Sequence, residues 1–276
     1  MAPVPRVRND PAQYDDLAGQ WWDPRGTFAM LHWLARARAS LVPPHAGPGA
    51  VLVDMGCGAG LLAPHVAGLG YRLIGVDLTR SALVQAAGHG VTAVQGDATA
   101  LPLADGCADV VCAGEILEHV TDLRAAVREA CRVLRPGGVL VVDTLAATFL
   151  ARTLVITVAE RIPGAAPPGL HDPALFVDRK VLVDECARHG VRLQLTGLRP
   201  SAWSVLRWLR HKRPDVTMVR TWSTAVLFQG RGTKDPGTKD PGTKDPGALA
   251  SAHARQASRH PPRLRGWRST ATMTKL

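Results

Sequence analysis

The residues best suited to chemistry follow a short apolar run at residues 51–53. Asp54 comes next, and then Gly56, Gly58 and Gly60 at spacing two. Glycines let the backbone turn sharply and approach a ligand closely, as they do after the first strand of nucleotide-binding α/β folds. The carboxylate of Asp54 would repel an anionic pyrophosphate but not the cationic groups of another cofactor. The pattern therefore predicts a cofactor that carries positive charge.

Further strand ends carry the residue types that the rest of such a cofactor needs. Asp77 closes the apolar stretch 71–77, where an acid can accept hydrogen bonds from both hydroxyls of a ribose. Asp97 and Ala98 close a third stretch, where an adenine would lie, and Gly114 closes a fourth. Together with the glycine turn, these strand ends predict one binding site for a nucleoside-type cofactor.

Three residues beyond the fourth strand suit proton transfer. Glu115, Glu118 and His119 stand at spacings i, i+3 and i+4, which predicts one face of a helix. His119 or Glu118 could act as a general base, although the three could equally be part of the scaffold. Asp143, at the end of the fifth strand, is a further candidate on this side of the site.

These side chains need strands that end at one edge of a sheet. Residues 49–145 alternate strands and helical stretches, which predicts an α/β fold with a Rossmann-like, mostly parallel sheet and helices on both faces. Two more strands, at about 191–198 and 220–229, bring the predicted sheet to seven. Residues 13–42 predict a helical lid at the N-terminus.

The chain of 276 residues has room for one such domain with extensions. We expect a flexible N-terminus at 1–12, the domain at 13–230 and a disordered basic tail at 231–276. The tail contains Gly-Thr-Lys-Asp-Pro three times in succession, a repeat too short to form a packed unit. Removing residues 231–276 is therefore expected to leave the fold intact.

The net charge and the number and spacing of the cysteines restrict the class of protein. The net charge is +10, but ten of the 33 Lys/Arg and only three of the 23 Asp/Glu follow residue 230, so the domain itself is nearly balanced. No Asn-Pro-Pro-Tyr or Asp-Pro-Pro-Tyr element follows the fourth strand, and we expect no nucleic-acid partner. Five cysteines without C-x-x-C spacing, no apolar run of 18 residues and no signal-like N-terminus predict a cytoplasmic protein.

The chain resembles the class I S-adenosylmethionine (SAM) methyltransferases, whose glycine turn D-x-G-x-G-x-G it carries at 54–60. Within that class it is similar to the ubiquinone-biosynthesis O-methyltransferase family. The likeness rests on the tryptophan-rich segment 14–24, on Glu-Ile-Leu-Glu-His-Val at 115–120 and on Gly-Leu-His-Asp-Pro at 169–173. It covers about residues 13–200 and implies SAM as the cofactor and methyl transfer as the activity.

The resemblance also implies roles for single residues. Arg38 would contact the carboxylate of SAM, a bidentate role that suits a guanidinium. Glu115, Glu118 and His119 would lie at a divalent metal near the acceptor. Two carboxylates and one imidazole could hold Mg²⁺ with waters, although Mg²⁺ prefers oxygen ligands.

Two departures from the family concern the acceptor. Ala146 and Ala147 replace an Asn-Arg pair, and residues 199–201 replace a Tyr-Asn pair. We therefore expect a different small-molecule acceptor, with a methyl group transferred to a hydroxyl of a phenol, catechol or quinol-like ring. Transfer to nitrogen or carbon of a small molecule stays open, as does a SAM-binding protein without turnover in an assembly. The oligomeric state is left open.

Two apolar features have alternative interpretations. Trp21 and Trp22 could cover the cofactor or simply pack the lid on the core. Residues 148–162 predict a mobile amphipathic helix at the acceptor entrance, which is too short to span a bilayer. This helix could lie on an anionic membrane as a peripheral contact, or it could be an ordinary core helix.

Overall fold

The computed structural model describes residues 7–44, 47–161, 168–210 and 215–237. Residues 1–6 of the predicted flexible N-terminus lie outside these ranges. The predicted tail lies outside them from residue 238 onward, so its disorder stays a prediction.

The fold is a Rossmann-like α/β sheet in the order β3-β2-β1-β4-β5-β8-β6-β7. The first five strands in this order pair in parallel, and β8, β6 and β7 are antiparallel to their neighbours. After β3 the chain returns to the other side of β1, which leaves a cleft at the carboxyl ends of β1 and β4, where such sheets bind ligands. The strands are β1 (Val51–Met55), β2 (Arg72–Asp77), β3 (Thr92–Gln95), β4 (Ala108–Gly114), β5 (Leu134–Leu145), β6 (Val191–Pro200), β7 (Met218–Thr221) and β8 (Leu227–Lys234).

The described residues form eight strands rather than the predicted seven, because the strand expected at 220–229 is two strands. After β7 the chain crosses β6 and returns between β5 and β6 as β8. At the crossing the carbonyl oxygen of Ser223 lies 1.8 Å from where a Cβ on Gly197 would stand. Only glycine at position 197 leaves room for this crossing, and the apolar pattern alone does not reveal it.

Helices cover both faces of the sheet, as predicted. Buried Ala126 and Leu182 pack the helices α5 (Leu123–Val133) and α7 (Arg179–Arg188) against one face of the sheet. On the other face, buried Leu62, just before α3 (Ala63–Val66), and Leu83 of α4 (Arg80–Gly88) pack in the same way. Asp122 caps α5, since its side chain accepts a hydrogen bond from the Ala125 amide at 2.9 Å. The α-helices are α1 (Ala12–Asp16), α2 (Ala29–Ala39), α3 (Ala63–Val66), α4 (Arg80–Gly88), α5 (Leu123–Val133), α6 (Phe149–Arg152), α7 (Arg179–Arg188) and α8 (Ala202–Leu209).

The last strand continues past the boundary predicted at residue 230. Lys234, the last residue of β8, is buried, and its Nζ donates to the carbonyls of Cys131 at 2.8 Å and Leu134 at 3.0 Å. The first Gly-Thr-Lys of the repeat is therefore part of the sheet. The domain ends beyond Lys234, and the expectation that residues 231–276 are dispensable does not fit this structure.

The N-terminal segment is also better anchored than predicted. The Asn9 amide donates to the carbonyl of Gly169 at 3.2 Å, and Arg8 forms an ion pair with Glu160 at 2.8 Å. Residues 7–11 thus lie against the 168–172 loop, while α1 and α2 form the predicted helical lid.

The segment predicted as one amphipathic helix begins with α6 and continues as a π-helix (Thr153–Val158) and a 3₁₀ turn (Ala159–Arg161). Ala151 and Val155 are buried, whereas Phe149 is 85% exposed. Ile162 lies outside the described residues. Across the described ranges, no helix has both the length and the apolar character needed to cross a bilayer.

Candidate active site

A cavity of about 420 Å³ opens at the carboxyl ends of β1, β2 and β4. Tyr14, Trp21 and Phe28 of the lid line it from above. All eight residues predicted to bind the cofactor lie on its wall: Arg38, Asp54, Gly56, Gly58, Asp77, Asp97, Ala98 and Gly114. Their individual ligand roles stay predictions.

The glycine turn fits closely between the lid and the segment after β4. Gly56 and Gly58 have φ angles of +73° and +51°, a left-handed conformation that favours glycine. A Cβ at Gly58 would lie 2.7 Å from the Trp21 ring, and one at Gly56 would lie 2.6 Å from Ile116. Trp21 therefore packs on the turn as well as lining the cavity. Trp22 stacks on His89 instead, with ring centroids 3.6 Å apart.

Asp77 ties the glycine turn to the end of β2. Its carboxylate accepts hydrogen bonds from the amides of Gly58 and Thr79, both at 2.8 Å. Burial raises the pKa of Asp77, while these two hydrogen bonds oppose the rise. Because a carboxylate oxygen can accept more than one hydrogen bond, Asp77 retains capacity for ribose hydroxyls.

Asp54 is one of the buried polar groups on the cavity wall that lack a partner. The side chain is buried, and its Oδ1 has no hydrogen-bond partner among the described residues. Burial raises the pKa of Asp54 to about 7, against the lowering effect of the Arg38 charge. A buried, unpartnered acceptor is costly, and a cationic ammonium group such as that of SAM would satisfy it.

Arg38 and Asp143, predicted on opposite sides of the reaction, form one buried ion pair. Nε of Arg38 donates to Oδ1 of Asp143, and Nη2 donates to Oδ2 at 3.0 Å. A Cβ at Gly114 would lie 1.7 Å from Cζ of Arg38, so this glycine makes room for the guanidinium. Asp143 lies behind Arg38 rather than on the cavity wall. Its hydrogen bonds hold the Arg38 guanidinium, and its role as a catalytic residue stays a prediction.

The segment after β4 is a turn, so the predicted common helical face of Glu115, Glu118 and His119 is wrong. Glu115 has φ +52°, a left-handed conformation that redirects the chain immediately after β4. The amide of His119 then donates to the carbonyl of Ile116 at 3.0 Å and closes the turn. The spacing i, i+3, i+4 places side chains on one face only within a helix, and this segment is a turn.

A different set of side chains meets at this end of the cavity. Glu118, His119 and His171 each offer a ligand atom, and these atoms lie within 4.8 Å of one another. His119 and His171 line the cavity with ring centroids 5.2 Å apart, and Glu118 lies behind them. Glu118 accepts from the Thr144 hydroxyl at 2.6 Å. We call these three residues the Glu118–His119–His171 cluster.

Sequence reasoning left His171 without a partner. Its only signal is its place in the Gly-Leu-His-Asp-Pro motif, because no spacing links it to residues some fifty positions away. Asn9, which also lines the cavity and hydrogen-bonds to His119, fell in the segment predicted to be loose.

Burial sets the protonation of the cluster. It lowers the pKa of His119 to about 3, with a further lowering from the neighbouring His171, and lowers that of His171 to about 4. It raises the pKa of Glu118 to about 7, against the hydrogen bond from Thr144. Both imidazoles are therefore neutral at neutral pH and have a nitrogen lone pair available.

The residues present do not fit the Mg²⁺ site that the resemblance implied. Glu115 lies outside the cluster, and burial together with the charge of Glu118 raises the pKa of Glu115 well above its ordinary value. The set that does converge has two nitrogen donors, whereas Mg²⁺ prefers oxygen.

The sheet order, the glycine turn and the acid-lined cavity together define a class I SAM-dependent methyltransferase. Comparison with known proteins agrees. The family profile described as a methyltransferase domain matches residues 53–142. Among solved structures, a SAM-dependent methyltransferase from Thermotoga maritima superposes with a TM-score of 0.53 at 21% identity, covering 81% of this chain and 95% of that one. That likeness shows the fold.

Curated relatives narrow the class. A ubiquinone biosynthesis O-methyltransferase of Caulobacter vibrioides is 33% identical over 77% of this chain and 92% of its own length. The protein of that name from Caulobacter sp. strain K31 is 37% identical with the same coverage. The chain belongs to the ubiquinone biosynthesis O-methyltransferase family and uses SAM as its cofactor.

Proposed function

We propose that this methyltransferase transfers the methyl group of SAM to a hydroxyl of a small aromatic acceptor. The observation that carries the proposal is the division of one cavity into two ends. One end presents the acids and Arg38 expected to hold SAM, and the other presents the neutral imidazoles of His119 and His171. A neutral imidazole nitrogen in the cavity can accept the proton that a hydroxyl must lose as the methyl group arrives.

The cofactor roles that we propose rest on the geometry of the cavity end that Arg38 and the acidic residues line. Asp77 would accept from the ribose hydroxyls, and Asp97 and Ala98 would lie at the adenine. Arg38, held by Asp143, would bind the carboxylate of SAM, and the unpartnered oxygen of Asp54 would accept from its ammonium. SAM brings its own leaving group, so the protein mainly has to align the acceptor oxygen with the methyl carbon.

The wall near the Glu118–His119–His171 cluster suits an aromatic ring. Tyr14 lies edge-on to His119 with centroids 6.3 Å apart, and Leu170 and Val120 also line the cavity. Apolar and aromatic side chains around a few polar groups are typical of small-molecule sites. A ring could thus bind between them with a hydroxyl directed at the imidazoles.

Methyl transfer from isotope-labelled SAM to matched acceptors tests the proposal. We expect transfer to catechols and phenols and none to ring-matched anilines. Transfer to nitrogen or carbon acceptors alone would replace the proposal with the corresponding methyltransferase activity. SAM binding without transfer to any member of the panel would favour a binding role in an assembly.

Replacing Asp77 with alanine is expected to weaken SAM binding by about 1–3 kcal/mol, the worth of hydrogen bonds to a charged group. The physical reason is the loss of the acceptor for both ribose hydroxyls. Titration calorimetry measures the change, with Asp184→Ala as a control, since Asp184 is half-buried on α7 and does not line the cavity. Unchanged SAM affinity in a folded Asp77→Ala protein would refute the assignment.

Peripheral membrane contact stays a proposal, supported by side chains at the start of the 149–161 segment. Phe149, Leu150 and Leu154 are 85%, 50% and 39% exposed, and the exposed Arg152 lies among them. An apolar surface with a cation suits an anionic bilayer. We expect flotation with phosphatidylglycerol vesicles at low salt and weaker flotation of Phe149→Ser. No flotation of the unmodified protein at low salt would remove the membrane role.

A further inference from the structure

We propose that Asn9 is a positioning residue, which holds His119 in the tautomer that carries its proton on Nδ1 and leaves Nε2 free to take the proton of the acceptor hydroxyl. In that step the hydroxyl oxygen bonds to the methyl carbon, the carbon–sulfur bond breaks with its electron pair going to sulfur, and the hydroxyl proton passes to Nε2. The use of Nε2 as a base rests on the proposed function, whereas the tautomer does not.

Two hydrogen bonds to one residue fix the orientation of the Asn9 amide. Its Nδ2 donates to the carbonyl oxygen of His119 at 2.9 Å, and its Oδ1 lies 2.6 Å from Nδ1 of the same histidine. A carbonyl oxygen only accepts, so the NH₂ group must face it and the amide oxygen must face the ring. Because the amide oxygen also only accepts, Nδ1 of His119 carries the proton.

This tautomer decides what the other ring nitrogen can do. In a neutral imidazole with its proton on Nδ1, the lone pair lies on Nε2. Within the described ranges Nε2 of His119 makes no hydrogen bond, and the ring lines the cavity. With the opposite tautomer, Nε2 would donate a hydrogen bond to the acceptor hydroxyl and could not take its proton. The hydrogen bond at one nitrogen thus sets the function of the other.

The backbone around Asn9 holds its side chain in place. The Asn9 amide donates to the carbonyl of Gly169 at 3.2 Å, and its φ of +62° is a left-handed conformation that asparagine adopts more readily than most residues. The preceding Arg8 donates to the carbonyl of His171 and to the carboxylate of Glu160, both at 2.8 Å. The Asn9 side chain is therefore anchored before an acceptor arrives.

The other neighbours of His119 do not set its tautomer. The His171 ring lies at a centroid distance of 5.2 Å and the Tyr14 ring at 6.3 Å, and neither forms a hydrogen bond with the His119 ring in the described part of the chain. The Glu118 carboxyl accepts from Thr144 instead. Among the described residues, only Asn9 hydrogen-bonds to the imidazole.

NMR of full-length protein labelled with ¹⁵N-histidine reports the tautomer directly, because protonated and unprotonated ring nitrogens differ in ¹⁵N shift. We expect the Nδ1–H form for His119, whose signals are those missing from His119→Ala. Asn9→Gly removes the side chain and suits the positive φ, so it should shift His119 toward the Nε2–H form. Asn9→Asp keeps an oxygen acceptor on a side chain of the same size and should retain Nδ1–H.

Kinetics then test the positioning role. Asn9→Gly should lower kcat by about 10²-fold, the cost of misplacing a reacting group by about 1 Å, and should leave SAM affinity unchanged. Because Asn9 acts through His119, Asn9→Gly should cause no further loss in a His119→Ala protein. Asn9→Asp should recover most of the lost turnover.

Gln13→Ala is the matched control on the same N-terminal segment. Nε2 of Gln13 donates to the carbonyls of Val7 and Gly169, both at 3.3 Å, and Gln13 does not line the cavity. The substitution loosens the attachment of the segment but leaves the hydrogen bonds between Asn9 and His119. We expect the Nδ1–H form and wild-type turnover.

An Nε2–H form of His119 in the unmodified protein would overturn the proposal, and this result stands even if Asn9→Gly does not fold. Wild-type kcat in Asn9→Gly would overturn it as well, as would an equal loss from Asn9→Gly with and without His119. A failure of the proposed function looks different. An Nδ1–H form that Asn9→Gly abolishes, without methyl transfer to any acceptor, would support the tautomer and remove the proposed function alone.

Discussion

Replacing His119 with alanine is expected to lower kcat by about 10²–10⁴-fold, the usual contribution of a group that assists proton removal. SAM affinity should stay near the wild-type value, because the residues expected to hold SAM lie in α2 and at or just after the ends of β1, β2, β3 and β4. The imidazole lines the acceptor end of the cavity, and its Nδ1 donates to Oδ1 of Asn9 at 2.6 Å, which leaves the lone pair on Nε2. Steady-state kinetics and SAM titration on the same preparation separate the two effects.

Glu118→Gln is expected to act in the same direction. The substitution keeps the shape of the side chain and an oxygen for the Thr144 hydroxyl, but it removes the ionisable carboxyl group beside His119 and His171. The His65→Ala variant changes a histidine outside the cavity and serves as the control. Near-wild-type turnover in both His119→Ala and Glu118→Gln would show that the cluster has a structural role and takes no part in catalysis.

Truncation at residue 230 is expected to prevent folding. It would remove residues 231–234, half of β8, which lies between β5 and β6. Arg231 pairs with Val141 and Gln194, and Lys234 pairs with Val191, so both neighbouring strands would lose hydrogen bonds. Each bond contributes about 1 kcal/mol, and unpaired buried groups cost more, against a total stability of about 5–15 kcal/mol.

A chain ending at residue 237 is the matched control. It keeps all of β8 and the buried Lys234, and it removes two of the three Gly-Thr-Lys-Asp-Pro repeats. We expect its melting temperature and SAM affinity to stay within a few degrees and about twofold of the full chain. If the chain ending at 230 melts cooperatively at a temperature similar to that of the chain ending at 237, residues 231–234 are not needed for folding and this prediction is wrong.

The sequence by itself predicted the α/β class, the cofactor and the residues of the cofactor end. Apart from Arg38, which the family resemblance indicated, those residues are readable because they lie at or just after the ends of apolar strands, as Asp54, Asp77 and Gly114 do. Parallel strands end at one edge of a sheet, so residues at successive strand ends are brought together by local pattern alone. All of them line the same cavity in the structure.

Only the tertiary structure decided the composition of the acceptor end. His171 meets His119 across 52 positions of chain, and Asn9 meets it across 110. Arg38 and Asp143, 105 positions apart, form one pair rather than two sites. Hydrophobic periodicity specifies which side of an element is buried, but it does not specify which distant side chains share that space. The positive φ of Glu115 and the crossing over Gly197 likewise depend on packing against neighbouring segments, which no local spacing records.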